Sequence, residues 1–198
     1  MKRSHIWIII FNVIYLVAFF IYYISINNYE FLWYIFVIII LGSFIGLNLH
    51  KVKFDNLVLW LLSIWGFLHM LAGGLRINGT TLYSLRLIDI IDKGDQFYVL
   101  KMDQLIHLYG FFVSAVLVYQ LIRAIGGDIS KSPKLMVFLA WIGSMGLGAL
   151  NEMVEFVAFV SFAHTGVGDF YNINLDLIFN AVGALVGALL ANKIYKKD

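Results

Sequence analysis

The sequence contains no cysteine, one proline and few charged residues, which make up 13% of its 198 positions. Without cysteine, disulfides and thiol chemistry are excluded. A soluble domain is about one-quarter charged, whereas here 62% of the residues are hydrophobic. The composition predicts a polytopic membrane protein that folds as one domain, residues 1–198, with membrane lipids around it. The net charge of +2 reflects membrane topology and gives no reason to expect nucleic acid as a partner.

Six apolar runs are long enough to cross a hydrocarbon core of about 30 Å. They predict an all-α fold with transmembrane helices at about 5–26, 31–49, 56–74, 103–125, 134–162 and 175–194. The single proline, Pro133, stands where the fifth helix can begin without losing a hydrogen bond. No small-residue cleavage site follows the first run, so we expect that run to remain as a span.

The Lys and Arg residues predict the orientation of these spans. With the N-terminus inside the cell, ten of them lie on the inner side and four on the outer side. The inner set is Lys2, Arg3, Lys51, Lys53, Arg123, Lys131, Lys134, Lys193, Lys196 and Lys197. The outer set is Arg76, Arg86, Lys93 and Lys101. Because positive residues concentrate on the cytoplasmic side, both termini are predicted to lie in the cytoplasm.

One segment between the spans, residues 80–93, mixes apolar and charged side chains at helical spacing. Its apolar residues Leu82, Leu85, Ile88 and Ile91 alternate with charged ones. This pattern predicts an amphipathic helix that lies on the outer membrane surface. Such a helix either covers a site as a lid or only connects two spans, and the sequence leaves both alternatives open.

Seven polar side chains stand within the outer parts of four spans, where little else is polar. They are His69, Asp103, His107, Glu152, Glu155, Asp176 and Asn180. At about 1.5 Å per residue, the predicted helix ends place all of them in the outer half of the membrane. A charge inside a bilayer costs about 3 kcal/mol or more, so residues of this kind commonly mark a functional site.

Helical spacing predicts that these side chains face other helices rather than lipid. Residues three or four positions apart form a stripe along one face of a helix. Each polar stripe also contains small residues, as in Asp176, Asn180, Gly183 and Gly187. The other two stripes are Asp103, His107, Gly110 and Ser114, and Gly148, Glu152 and Glu155. Small residues let helix backbones approach closely. The pair Gly42 and Gly46 in the second span is expected to serve the same packing.

Each polar residue also has a purely structural interpretation. A histidine such as His69 often only forms a hydrogen bond within the helix packing. Asp103 and Asp176 stand in predicted first turns, where a carboxylate suits the helix dipole. Glu152 and Glu155 are harder to explain in this way, because they share a helix face well inside the membrane. At least one of them is expected to be protonated, bound to metal or paired with a histidine.

The polar motifs resemble those of the YjdF-type family of bacterial inner-membrane proteins. The similar elements are the run Leu68–Gly74, the pair Asp103 and His107, the glutamate run Gly148–Glu155 and the final run Asp176–Ala184. The last three also resemble, in the same order, motifs of VanZ-like proteins. One departure is Gln104, which stands where an aromatic or basic residue often follows the aspartate. The resemblance implies a location in the bacterial inner membrane. The association of VanZ-like proteins with low-level tolerance of glycopeptide antibiotics implies a role in the cell envelope.

Functions of three classes fit these observations. In the first, an outward-facing site binds or modifies a lipid or a lipid-linked envelope component. Its acid–base groups are Glu152, Glu155 and His107, and its binding residues are His69, Asp103, Asp176 and Asn180. The second class is a proton-coupled transporter, since intramembrane acids and histidines also relay protons. The third is a non-enzymatic envelope scaffold whose polar groups only hold the helices together.

The first function has a metal-dependent version. Two histidines and two glutamates could hold zinc or a di-metal centre, as carboxylate-rich helix bundles do. The candidate ligands are His69, His107, Glu152 and Glu155. Against this version, the Glu-x-x-His spacing that is usual in such bundles is missing.

Overall fold

The computed structural model describes residues 3–94 and 97–195, without the side chain of Arg3. Its helices are α1 (Arg3–Ser25), α2 (Tyr29–Val52), α3 (Asn56–Gly74), α4 (Met102–Ile125), α5 (Pro133–Ser161) and α6 (Phe170–Tyr195). All six are long and apolar enough to cross a membrane, where a helix satisfies its own backbone hydrogen bonds. The predicted fold with six spans is confirmed. Lys2, Lys196 and Lys197, which entered the orientation argument, lie outside the described residues.

The last helix begins earlier than its apolar run suggested. α6 starts at Phe170, because Asp169 caps it by accepting a hydrogen bond of 3.0 Å from the backbone N–H of Asn172. Asp176 is therefore the seventh residue of α6 and stands beyond its first turn. The interpretation of Asp176 as a first-turn residue that suits the helix dipole is wrong.

Two β-hairpins lie between α3 and α4. The first pairs β1 (Arg76–Ile77) with β2 (Thr80–Thr81), and the second pairs β3 (Arg86–Asp92) with β4 (Tyr98–Lys101), both antiparallel. The predicted amphipathic helix at 80–93 is therefore wrong. We call the end of the helix bundle that carries these strands the hairpin end.

Turn chemistry explains why these residues form hairpins and not a helix. Asn78 and Gly79 have φ values of +52° and +84°, and together they form the two-residue loop between β1 and β2. The dipeptide Asn-Gly between short strands is the strongest local hairpin signal. In β3, β-branched Ile88, Ile90 and Ile91 favour extended backbone. These signals outweigh the helical spacing of the apolar residues.

The segment between the hairpins is fastened to both neighbouring helices. The backbone N–H of Tyr83 donates to the carbonyl oxygen of Ala72 on α3 at 3.1 Å, and that of Asp103 on α4 donates to the carbonyl oxygen of Tyr83 at 3.1 Å. Tyr83 is thereby held over the end of α3. The segment connects α3 to α4, and it also presents a side chain to the predicted polar region.

Glycines let α6 pack directly against the backbone of α4. A Cβ atom at Gly183 would lie 2.1 Å from the carbonyl oxygen of Leu108, and one at Gly187 would lie 2.2 Å from that of Phe112. Only glycine fits at such a distance, so the predicted close approach at these two positions is confirmed. The approach brings the polar stripe of α6 next to that of α4.

The glycine pair of α2 has no such role. Gly42 and Gly46 are exposed, and a Cβ atom at either would meet nothing within 4 Å. The predicted packing at these two residues is wrong, because none of the described helices covers this face of α2. The glycine spacing alone does not reveal whether a partner helix is present.

Replacing Gly183 with alanine tests the packing between α4 and α6. Gly183→Ala forces the helix backbones apart. We expect the free energy of unfolding to fall by about 1–3 kcal/mol, the usual cost of overpacking. Gly42→Ala is the matched control, and it should leave stability unchanged or raise it slightly, since alanine favours helix. Thermal unfolding of both variants in detergent, followed by tryptophan fluorescence, measures the difference. Equal melting temperatures would contradict the described packing.

Candidate functional site

His107 lies at the centre of the polar groups, on the second turn of α4, and is 5% exposed. Its Nδ1 atom lies 3.0 Å from Oδ1 of Asn180 on α6 and 3.7 Å from Oε1 of Glu152 on α5. Its Nε2 atom lies 3.5 Å from Oδ1 of Asp103 and 3.9 Å from Oε1 of Glu155. One imidazole thus lies between groups of three helices.

Asn172 joins two carboxylates that stand on different helices. Its Nδ2 atom donates to Oδ2 of Asp103 at 3.0 Å and to Oδ2 of Asp176 at 2.6 Å. Its Oδ1 atom accepts a hydrogen bond of 3.3 Å from the ammonium of Lys101. Asn172 was not among the predicted residues. It stands four positions before Asp176 on the same face of α6, so the helical spacing that indicated Asn180 could also have indicated Asn172.

Several buried polar atoms of the cluster have no hydrogen-bond partner within the described part of the chain. They are both carboxylate oxygens of Glu152, Oδ1 of Asp176, Nδ2 of Asn180 and Nε1 of the nearby Trp65. Asp176 and Asn180 are each only 1% exposed. An unpartnered buried polar group costs about 1–3 kcal/mol, so nearly all such groups are paired. A set of them at one place needs water, an ion or a ligand for its hydrogen bonds.

Negative groups outnumber positive ones in this cluster. Four carboxylates of α4, α5 and α6 surround His107. Lys101 lies at their edge and donates its hydrogen bond to Asn172, not to a carboxylate. Two unit charges 4 Å apart interact by about 4 kcal/mol even at an effective dielectric constant of 20. Repulsion among four ionised carboxylates would strongly destabilise the folded protein, so bound protons or a bound cation must offset it.

Two glycines make room for the amide and indole groups of the site. A Cβ atom at Gly148 would lie 3.0 Å from Nδ2 of Asn180, and one at Gly110 would lie 2.2 Å from Nε1 of Trp65. Both glycines stand on the predicted polar stripes. They were expected to let the backbone of a neighbouring helix approach. Instead, each leaves space for a polar side chain of that helix.

His69 lies beside the cluster, in an aromatic pocket at the end of α3. The hydroxyl of Tyr83 contacts its Nδ1 atom, and the ring of Trp65 stacks on it with the centroids 5.5 Å apart. Burial raises the pKa of Tyr83 well above its usual value of 10. The phenol therefore stays protonated at neutral pH and can donate to His69. Tyr83 is a second residue that was missed, because it belongs to the segment that was predicted as a surface helix.

The potential metal-ligand atoms of the described residues form two groups. The groups are Asp103, His107 and Asp176, and His107, Glu152 and Glu155. In each group, one ligand atom per residue lies within 4.8 Å of the others. The structure thus brings six of the seven predicted residues together, counting Asn180, and places His69 next to them with a partner of its own.

Glu30 was also missed by the sequence analysis. It is 5% exposed, and it accepts hydrogen bonds of 3.0 Å from the hydroxyl of Tyr34 and 2.6 Å from the backbone N–H of Gly166. It thereby fastens the loop between α5 and α6 to α2. An acidic residue in the first turn of a helix ordinarily suits the helix dipole, so no pattern in the sequence indicated that Glu30 is buried.

Gln104, the departure from the family pattern, is fully buried at 0% exposure. Its Oε1 atom accepts a hydrogen bond of 3.1 Å from the backbone N–H of Lys101, and its Nε2 atom donates to the carbonyl oxygen of Tyr98 at 3.1 Å. These bonds tie β4 to the beginning of α4. The amide therefore positions the turn of α4 that carries Asp103.

The fold and this cluster define an integral membrane protein with six spans and a buried acidic site at one end of its bundle. The chain belongs to the family described as Predicted membrane protein (DUF2238), whose model matches residues 7–197. The YjdF-type resemblance agrees with this family, and the similarity to VanZ-like motifs stays a prediction. Comparison with curated proteins and with solved structures gave no match.

Proposed function

We propose that this protein binds and modifies the head group of a lipid or lipid-linked envelope component at the outer leaflet of a bacterial inner membrane. In this proposal both termini lie in the cytoplasm and the hairpin end faces outward. One observation carries the proposal. Glu152, Asp176 and Asn180 present buried polar atoms that have no partner in the described part of the chain, beside a core of apolar side chains.

The chemistry of these atoms favours a head group with hydroxyl or amino groups. The carboxylates of Glu152 and Asp176, when ionised, only accept hydrogen bonds, whereas Nδ2 of Asn180 only donates. A hydroxyl group both donates and accepts, so the hydroxyls of a polyol or sugar can satisfy the whole set. Lys101, at the edge of the cluster, offers a cation to a phosphate group of the same molecule.

Exposure of the side chains supports entry from the side of the bundle. The side chains of Asp103 and Glu155 are 17% and 16% exposed, whereas that of His107 is 6% exposed. The neighbouring Met153 and Phe156 on α5 are each 60% exposed, and in a bilayer such apolar surface contacts acyl chains. A head group can therefore enter the cluster while its chains stay in the lipid.

Modification of the head group needs acid–base groups, which we assign to His107, Glu152 and Glu155. Histidine and carboxylate side chains are common proton donors and acceptors in catalysis. Both oxygens of Glu152 are without a partner, so we assign Glu152 as the group that takes a proton from a substrate hydroxyl. Glu155 accepts a hydrogen bond of 2.7 Å from Asn151 and is the second candidate. His107, which lies near both, would donate a proton to the group that leaves when the bond in the head group breaks.

The packing disfavours the transport alternative. A transporter needs a polar path from the site to the other side of the membrane. Further along α4, α5 and α6, the core contains Val113, Ala140, Ala184 and Ala188, each 0% exposed. An envelope substrate also agrees with the similarity to VanZ-like motifs. The scaffold alternative is distinguished by the stability of variants, as described below.

Single cysteines test the proposed orientation, because the natural chain contains none. Asp89→Cys lies on exposed β3 at the hairpin end, and Asp128→Cys lies in the exposed turn between α4 and α5. In intact cells, a membrane-impermeant maleimide should label Asp89→Cys and should label Asp128→Cys only after the membrane is permeabilised. The opposite pattern would place the site on the cytoplasmic side and contradict the proposal.

Glu152→Gln tests the proposed binding of a head group. Native mass spectrometry of protein extracted from its membrane measures the lipid that each variant retains. We expect retention to fall about tenfold or more, as for the loss of a hydrogen bond to a charged group. Glu30→Gln is the matched control, since it changes a buried carboxylate outside the cluster, and it should retain lipid as the natural protein does.

The thermal stability of Glu152→Gln separates a ligand site from a scaffold. Its carboxylate is buried without a hydrogen bond to the described residues, so its neutralisation should leave the melting temperature unchanged or raise it. A scaffold predicts a lower melting temperature, because a contact between helices would be lost. A less stable Glu152→Gln that still retains lipid would contradict the proposed function.

A further inference from the structure

We propose that Asp103, His107 and Asp176 bind a divalent transition-metal ion, Zn²⁺ or Mn²⁺, within the cluster that we assign to the head group. This ion site rests on the proposed function in one respect: an oxygen atom of the head group would bind the ion at its open coordination position. The ligand geometry, the hydrogen bonds behind the ligands and the charge of the cluster support the ion site without that function.

The three ligand atoms lie close to the separation that a small metal ion requires. One atom from each of Asp103, His107 and Asp176 lies within 4.8 Å of the others, and Nε2 of His107 lies 3.5 Å from Oδ1 of Asp103. Ligand atoms about 2.1 Å from a tetrahedral ion lie about 3.4 Å from one another. Small movements of the side chains therefore suffice to enclose an ion.

Asn180 fixes the imidazole in the form that can bind an ion. Its Oδ1 atom lies 3.0 Å from Nδ1 of His107 and accepts a hydrogen bond from that atom. The proton of the neutral ring is then on Nδ1, and the lone pair of Nε2 points toward Asp103. Histidine ligands nearly always donate their other N–H group in this way, which fixes the ring and its tautomer.

Asn172 holds the two carboxylate ligands in a matching way. It donates to Oδ2 of Asp103 and to Oδ2 of Asp176. The Oδ1 atom of Asp103 therefore faces His107, and the Oδ1 atom of Asp176 has no partner in the described residues. Both carboxylates are oriented by the same amide, as ligating carboxylates usually are by outer hydrogen bonds.

A second observation, from a different helix, also indicates a cation. Glu152 on α5 is nine-tenths buried, and its Oε1 atom lies 3.7 Å from Nδ1 of His107. Both of its oxygens lack a hydrogen-bond partner in the described part of the chain. With four carboxylates around a single imidazole, a dication supplies the positive charge that these side chains do not.

The donor atoms favour a transition-metal dication such as Zn²⁺ or Mn²⁺ over Ca²⁺ and Mg²⁺. Imidazole suits transition metals, whereas Ca²⁺ and Mg²⁺ prefer oxygen ligands alone. Without thiolate or thioether ligands, soft ions such as Cu⁺ are disfavoured. Three protein ligands leave at least one open position, as in catalytic zinc sites. With both of its ring nitrogens engaged, His107 is then a ligand and not an acid–base group. Glu152 and Glu155 stand next to the ion, where either can accept a proton from a bound hydroxyl or water.

Ion binding by the full-length protein in lipid nanodiscs tests the proposal. Protein treated with a chelator is equilibrated separately with Zn²⁺, Mn²⁺, Mg²⁺ or Ca²⁺, and the retained metal is measured by mass spectrometry. We expect about one Zn²⁺ or Mn²⁺ to bind per chain, and we expect Mg²⁺ and Ca²⁺ to bind with an affinity roughly tenfold lower or more. X-ray absorption of the bound metal should show nitrogen and oxygen ligands at about 2.0–2.2 Å and the outer scattering of one imidazole.

Variants connect the bound ion to the proposed ligands. His107→Gln and Asp176→Asn should each weaken binding by about 100-fold or more, and Asn172→Ala by about 10- to 100-fold, because Asn172 acts through the ligands. The matched controls are His164→Gln and Asp89→Asn, which change exposed side chains and should bind as the natural protein does. Size-exclusion profiles and melting temperatures show which variants are folded.

Two results would overturn the ion site. The first would be that the natural protein retains none of the four ions, or that its bound ion shows no imidazole scattering. This result does not depend on any variant. The second is full ion content in folded His107→Gln and Asp176→Asn. Lipid retention, measured on the same samples, distinguishes the two proposals. A bound ion without retained lipid contradicts the proposed function alone, whereas retained lipid in protein that binds no ion contradicts the ion site alone.

Discussion

The direct packing of α6 on the backbone of α4 is the contact on which the site depends. Gly183 and Gly187 meet the carbonyl oxygens of α4, with no space for a Cβ atom. Asn180 stands about one turn and Asn172 about three turns before Gly183 on α6. The close approach leaves Asn180 within hydrogen-bond distance of His107 and Asn172 within reach of Asp103. A wider separation of the helices would break both contacts, so the apolar half of the bundle sets the geometry of its polar half.

Hydrogen bonds within the cluster are distributed unevenly. Some polar groups have defined partners, such as His107 with Asn180 and both aspartates with Asn172. Glu152 has none in the described residues. A cluster that only locked helices together would gain from pairing every buried group, because unpartnered ones cost stability. The uneven pattern is better explained if the amides position ligands and the remaining oxygens face a bound molecule or ion.

The spans and most of the site could be predicted from the sequence, because both depend on composition and helical spacing. Six of the seven polar residues meet as their stripes indicated. The hairpins could not be found by spacing, since Asn78-Gly79 turn chemistry overrides it. Partners such as Tyr83 and Glu30 depend on how a loop returns to the bundle. Likewise, the exposed pair Gly42 and Gly46 has the spacing of Gly183 and Gly187, but no helix that the structure describes lies against it. Only tertiary structure separates the two cases.

The central claim is that the polar atoms between α4, α5 and α6 form a ligand site. An experimental structure of the protein in a lipid bilayer, at a resolution that shows ions and head groups, tests it most directly. If these atoms form a ligand site, density will lie within about 2.0–3.2 Å of Oδ1 of Asp176 or of the carboxylate of Glu152, the range of metal and hydrogen-bond contacts. Glu152 and Asp176 fully hydrogen-bonded to protein groups, with no density between them, would contradict it.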